Sequence, residues 1–189
     1  PDGLDPGLDT RAGSDVDAGT YPNGCHVCEL EIDRDTGNVT LTNYVVVDDF
    51  GKVVNPLLVA GQVHGGIVQG VGQVLWENCA YDAESGQLVT GSYMDYAMPR
   101  AEDFCLFEVA ANEIPTQTNP IGAKGAGEAG TVGSIACAMN AIVDALKPLG
   151  IRHIDLPATP QKLWRAIQGR ASIQIKFTLS EKKDPNFYI

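Results

Sequence analysis

The chain has 189 residues, 44% apolar and 20% charged, the composition of a globular protein rather than a disordered one. Its 13 basic residues against 24 acidic ones leave a formal charge of −11, which argues against nucleic-acid or anionic-lipid partners. No apolar run approaches the roughly 18–20 residues of a membrane span and no basic-then-apolar leader opens the chain, so a soluble acidic domain is expected.

The first residues are Pro1, Asp2 and Gly3 rather than Met, and the expectation is a piece of something longer. Residues 1–24 carry Gly, Pro and Asp without periodicity and read as a lead-in or linker. From Cys25 to Asp33 apolar positions alternate, Asp35-Thr36-Gly37-Asn38 reads as a turn, and Val39 to Asp48 is rich in Val, Thr and Tyr. That pattern predicts a hairpin. Pro56 to about Cys79 changes to helical spacing through Leu58, Gln62, Ile67, Val71 and Leu75, with Pro56 suited to a first turn. Glycines at 61, 65, 66, 70 and 72 interrupt that helix, each at a cost of about 0.5–1 kcal/mol relative to Ala. A reason is needed, either close packing against another backbone or the approach of a ligand.

A turn is predicted at Tyr81–Gly86, an extended segment through Tyr96 to Pro99, and a strand from Phe104 to Ala110. A second glycine-rich stretch, 116–130, opens onto a helix whose apolar stripe runs from Val132 to Leu146 and ends at Pro148 and Gly150. Ile151 to Leu156 reads as a short strand and Pro160 to Ile167 as a final helix. Ile173, Ile175, Phe177 and Leu179 alternate with polar residues, which predicts a strand-like tail over 169–189. The main domain is thus placed at 25–168, in the α+β class, a mixed β-sheet with packed helices.

The five cysteines, Cys25, Cys28, Cys79, Cys105 and Cys137, are an odd, scattered set, which points to reduced thiols in a cytoplasmic setting. Cys25-His26-Val27-Cys28 looks like a metal or redox CxxC, but residues i and i+3 of a strand face opposite sides and cannot share one ion. No protein-held metal is expected. Gly125-Ala126-Gly127-Glu128-Ala129-Gly130 is a literal GxGxxG opening a helix. A dinucleotide fingerprint needs a strand running straight into it, and Pro115 and Pro120 argue against one. Glu128 among these glycines has two readings: a first-turn acid complementing the helix dipole, or a carboxylate beside a bound group that serves as general base. Gln62 and Gln69 share one helix face with Gln73 a turn on, amides that suit a polar heteroaromatic ligand or plain surface. His64 has no neighbour in the sequence that gives it a role.

Taken together, the string Gly61-Gln62-Val63-His64-Gly65-Gly66-Ile67-Val68-Gln69-Gly70-Val71-Gly72 resembles the glutamine–glycine helix of the molybdenum hydroxylases. Asn119-Pro120-Ile121-Gly122-Ala123-Lys124-Gly125-Ala126-Gly127-Glu128 resembles the loop that carries their catalytic glutamate. Thr20 to Gly24, Asp35-Thr36-Gly37 and Leu156 to Pro160 also fit, so the resemblance runs over about 1–168. It is to the C-terminal portion of the large, molybdopterin-binding subunit of the xanthine dehydrogenase, aldehyde oxidase and carbon monoxide dehydrogenase group. That family usually has alanine-like residues at Cys25 and Cys28, and the tail from Arg170 has no counterpart in it.

The resemblance implies a molybdenum–pyranopterin cofactor, with or without an appended cytosine nucleotide, held by Gln62 and by Lys124, Gly125 and Gly127 of the loop. It implies Glu128 as the base that activates a water-derived oxygen for attack on an aldehyde or N-heterocycle. The implied partners are the remainder of the large subunit, an iron–sulfur subunit and a flavin subunit carrying FAD, since this chain has no iron–sulfur cysteine spacing of its own. The competing expectation is a cofactor-free structural or assembly module of the same fold.

Overall fold

The computed structural model describes residues 7–177 apart from 14, 16 and 17, with the backbone alone described over 170–177. β1 (Asn23–Ile32) and β2 (Val39–Asp49) form an antiparallel hairpin paired from Asn23 opposite Asp49 to Ile32 opposite Val39. Its connection folds back through Gly37 N–H to the Asp33 carbonyl at 2.7 Å, with Gly37 at φ 77°. β3 (Phe107–Ala111) lies parallel to β2 on its other side, so β2 is central in a mixed three-stranded sheet. Leu41, Tyr44 and Val46 of β2 are buried accordingly.

α1 (Pro56–Leu75) connects β2 towards β3, α2 (Ala129–Leu146) follows the long glycine-rich loop, and α3 (Pro160–Phe177) closes the described chain. Asn55 caps α1 by accepting from Leu58 N–H at 3.3 Å, and Pro56 occupies the first turn, where a missing N–H costs nothing. α1 and α2 cross backbone to backbone. A Cβ on Gly66 would lie 2.8 Å from Thr131 N, and one on Gly130 would lie 2.5 Å from the Val63 carbonyl. One turn along, Gly70 meets Ser134 in the same way. Close packing therefore accounts for Gly66 and Gly70, and Gly72 packs against Pro99. Gly61 and Gly65 on the same helix face nothing within 4 Å. The core fills the space between sheet and helices with Ile67, Val71, Ile142, Leu146 and Leu163.

Several expectations change. The segment 169–177 continues α3 as helix instead of forming a strand, and the rest of the expected tail lies outside the described residues. Arg170, Ala171, Gln174 and Lys176 are good helix formers, and extending an existing helix past the single Gly169 costs only about 1 kcal/mol. Ser92–Tyr96 is a turn, with the Ser92 hydroxyl donating to Asp95 at 2.9 Å, where an extended segment is predicted. No strand forms over 151–156, and β1 begins at Asn23 inside the expected lead-in. The stretch Ala129–Leu149 is long and apolar enough to cross a membrane by length and composition. Here α2 packs one side onto α1 through Gly130 and another onto β1, where Gly133 lies under the His26 ring.

Candidate functional site

The loop between β3 and α2 is held from behind by the end of the central strand. Lys124 N–H donates to the Phe50 carbonyl at 2.8 Å, and Lys52 N–H to the Gly122 carbonyl at 2.9 Å. Asn119 closes the turn by accepting from Gly122 N–H at 2.8 Å while its side-chain amide donates to the Ala123 carbonyl at 2.8 Å. Asp49 is the hub. One of its oxygens takes the Lys124 ammonium at 2.5 Å, and the other accepts from Gly51 N–H at 2.8 Å and Ile114 N–H at 3.1 Å.

These bonds fix where Lys124 can act. Its ammonium is engaged by Asp49 inside the fold, so it anchors the loop from below rather than presenting a charge on the loop's surface. Hydrogen bonding from Lys124, more than from the two backbone amides, holds the Asp49 carboxyl at about 2. A depressed carboxylate contributes stability above its unfolded value of about 3.9, and that contribution disappears as pH falls towards 2. With Lys124→Met the Asp49 carboxyl loses its main partner and rises. Thermal unfolding followed by circular dichroism from pH 2 to 7 is then expected to show a lower melting temperature at pH 7, a deficit that shrinks as pH falls from about 4 towards 2, where the unaltered protein loses the same contribution. An unchanged profile would remove Asp49 and Lys124 from the loop's support.

Gln62 and the loop come together above this anchor. A Cβ on Gly127 would lie 4.0 Å from Gln62 Nε2, so the glutamine amide faces the bare loop backbone. Gly61, Gln62 and Gly65 form one exposed face of α1, and the Gln62 amide has no hydrogen bond among the described residues. Gly125 also opens onto free space. Glu128 sits at the N-cap of α2 without capping it by its side chain, so its carboxylate is free for other work. Gln69, by contrast, accepts from Thr131 at 3.4 Å across the helix crossing, and Gln73 is exposed. His64 packs edge-on against Phe107 at 5.6 Å between ring centres.

A cavity of about 570 Å³ is walled by Tyr21, Pro22, His26, Asp48 and Val132 together with Gly125, Gly127 and Glu128 of the loop, among others. His26 Nδ1 lies 2.7 Å from the Tyr44 hydroxyl. A neutral imidazole that accepts there carries its proton on Nε2, towards Asp48 at 3.5 Å. Burial pushes the imidazole below its usual value and the Asp48 carboxyl above its own, each partly offset by the other. Behind Tyr44, hydrogen bonding from the Cys28 thiol holds Cys137 at about 7, against burial and with help from the Tyr44 hydroxyl. Cys28 thus faces Cys137 across the β1–α2 contact while Cys25 is exposed, which is the opposite-face arrangement expected of strand positions three apart.

Residues 5–105 match the molybdopterin cofactor-binding domain family, just over half of the chain. The chain belongs to that family. The nicotine 6-hydroxylase large subunit of Paenarthrobacter nicotinovorans is 39% identical over 174 residues, 92% of this chain and 21% of that protein. The carbon monoxide dehydrogenase large chain of Hydrogenophaga pseudoflava is 36% identical over 168 residues, 89% of this chain and 21% of that one. Among solved structures, reconstituted CO dehydrogenase from Oligotropha carboxidovorans superimposes with a TM-score of 0.77 at 34% identity, over 80% of this chain and 19% of its own. Quinoline 2-oxidoreductase from Pseudomonas putida 86 gives a TM-score of 0.73 at 38% identity, over 78% and 19%. The chain spans about a fifth of the length of these relatives. The mixed sheet with packed helices is therefore the fold of the molybdopterin-binding domains of molybdenum hydroxylases.

Sequence reasoning names Gln62, Lys124, Gly125, Gly127 and Glu128, and passes over Asp49, Asp48 and the His26 side chain. The available signal is the pair Asp48-Asp49 directly after the run Tyr44–Val47, a place where carboxylates are costly unless they are used.

Proposed function

We propose that the chain forms part of the molybdenum-cofactor active site of an oxidoreductase that hydroxylates an aldehyde or N-heterocycle with oxygen derived from water. The observation that carries this reading is the meeting of the unpartnered Gln62 amide with the bare Gly127–Glu128 backbone on a glycine-cleared helix face. These donors fit a pyranopterin, which is polar, flat and in need of neutral hydrogen-bonding groups rather than countercharges. Gln62 holds the pterin through its amide, and the backbone of Gly125 and Gly127 supplies close approach without side chains. Lys124 serves the same site as a positioning residue, through Asp49.

When bound, the cofactor supplies the two-electron acceptor and the place where the water-derived oxygen is delivered. Glu128 accepts the proton of that oxygen as it becomes a nucleophile. Its carboxylate is free to do so because the α2 N-terminus does not use it as a cap. Electrons leave through an iron–sulfur subunit and a flavin subunit carrying FAD, and the remainder of a large subunit completes the substrate pocket. The names of the relatives, which include a nicotine 6-hydroxylase and a quinoline oxidoreductase, favour an N-heterocycle over an aldehyde. The assembly works in the cytoplasm with its five thiols reduced.

The test is molybdenum and pterin content per chain in the assembly purified from its native source. About one of each supports the reading; an intact, folded assembly without molybdenum returns the chain to a structural module. Gln62→Ala is expected to keep the fold and lower cofactor affinity. Two neutral hydrogen bonds at about 1 kcal/mol each correspond to roughly thirtyfold. Unchanged occupancy after dialysis would remove Gln62 from the site.

A further inference from the structure

The cavity walled in part by Gly125, Gly127 and Glu128 of the loop contains a carboxylate that the fold itself leaves badly served. Asp48 is 2% exposed at the end of the central strand. Its Oδ1 approaches only His26 Nε2, at 3.5 Å, which is long for a hydrogen bond. Its Oδ2 has no hydrogen-bond partner. A buried carboxylate oxygen in that condition is expensive and calls for a donor from outside the fold.

The surroundings are built around this pair. A Cβ on Gly24 would collide with Asp48 Oδ1, and one on Gly133 would lie 2.5 Å from His26 Nε2, so two glycines make room for the two side chains. Asp48 and Glu128 both belong to the cavity wall, and among the described residues no Lys or Arg lines it. The ammonium of Lys124 is held by Asp49, and that of Lys52 by Glu113. Tyr21, Pro22 and Val132 give the rest of the wall an apolar character. Two carboxylates, no fixed countercharge and apolar sides describe a receptor for an organic cation.

We propose that this cavity binds a protonated amine on a compact apolar body, its N–H donating to the free oxygen of Asp48 while its body lies against Tyr21, Pro22 and Val132. His26 orients the carboxylate from behind, itself fixed by the Tyr44 hydroxyl at 2.7 Å. The cavity shares Gly125, Gly127 and Glu128 with the proposed cofactor site, but the inference goes beyond that reading because amine binding is read without molybdenum or turnover, so the two can fail separately. A lysine side chain from another segment of an assembly presents the same ammonium, and the experiment separates that source from a free amine.

The probe is benzylammonium, titrated calorimetrically into the protein in its native assembly at neutral pH, with benzyl alcohol and benzoate as neutral and anionic counterparts. One saturable site per chain is expected for benzylammonium, with Kd on the order of 1 mM for a ligand of this size. Benzyl alcohol should bind about tenfold more weakly and benzoate not measurably. Asp48→Asn keeps the shape and removes the charge, and should weaken benzylammonium about tenfold or more while leaving benzyl alcohol unchanged. Val132→Trp, at a position 71% exposed on α2, fills the cavity without touching the core and should abolish binding of both. It decides the matter if Asp48→Asn does not fold. Equal affinity for amine and alcohol, or amine binding indifferent to Asp48→Asn and to Val132→Trp, would overturn the proposal. So would the absence of any saturable site, which would assign the place to a lysine of the assembly or leave Asp48 protonated and self-sufficient.

Discussion

Glu128→Gln, made in the assembled enzyme, is expected to retain molybdenum and pterin at the level of the unaltered protein while turnover falls by about 10²–10⁴-fold. That range is the usual contribution of a positioned general base. The substitution keeps the size of the side chain and its place at the start of α2, and removes only the ability to accept a proton. The structure supplies the reason it should not disturb the fold: Glu128 makes no side-chain cap, and α2 is started instead by the Glu128 carbonyl accepting from Val132 N–H at 3.0 Å. An acid serving only to complement the helix dipole gives a different result, a loss of about 0.3–1 kcal/mol in stability with turnover intact. Metal content, melting temperature and turnover measured on the same preparation therefore separate the two readings of this residue. Wild-type turnover with full molybdenum occupancy would remove Glu128 from the chemistry.

The parts of this fold that periodicity reports were legible because their period reflects burial. Val39–Asp49 is rich in Val, Thr and Tyr, as a strand should be, and its central position buries Leu41 before, and Tyr44 and Val46 after, the irregularity at which Thr42 is the extra residue. The stripe of α2 ends where Pro148 and Gly150 say it should, with Gly150 at φ 74° after a final tight turn. The tail misled for a physical reason. Alternating Ile173, Ile175 and Phe177 suit a strand only where a neighbour exists to pair with it, whereas α3 was already nucleated at Pro160 and had no breaker to stop it.

The site was legible by a different route. Glycines in a helix are costly enough to demand a cause, and the structure divides them into two causes that the sequence cannot separate. Gly66 and Gly70 are required by α2, whereas Gly61 and Gly65 are required by nothing in the described chain. Lys124 was named for its place in the loop, yet its role depends on Asp49, which is 75 residues away in the chain. No spacing rule reaches that far, so an ion pair closing a long loop onto a strand end becomes visible only in the folded chain. The same holds for His26 and Asp48, brought into contact by the register that sets Gly24 opposite Asp48.

That division among glycines yields a paired prediction with a large effect on one side. In Gly130→Ala the new methyl would lie 2.5 Å from the Val63 carbonyl and 3.1 Å from Gly66 Cα, backbone atoms that cannot turn aside. Relief comes only by moving α2 off α1. Overpacking of this kind costs about 1–3 kcal/mol, reduced by up to about 1 kcal/mol from the better helix propensity of Ala. Since Gln62 rides on α1 and Glu128 heads α2, the same displacement separates the residue proposed to hold the cofactor from the proposed base. A shift approaching 1 Å is expected to lower turnover by about 100-fold. Gly61→Ala is the counterpart, on a face with nothing within 4 Å. If that face were merely solvated, Ala would stabilise α1 by about 0.5–1 kcal/mol with no other consequence. If it is the surface on which the pterin lies, the melting temperature of the cofactor-free protein rises while molybdenum occupancy falls, and no packing argument confined to this chain produces that combination.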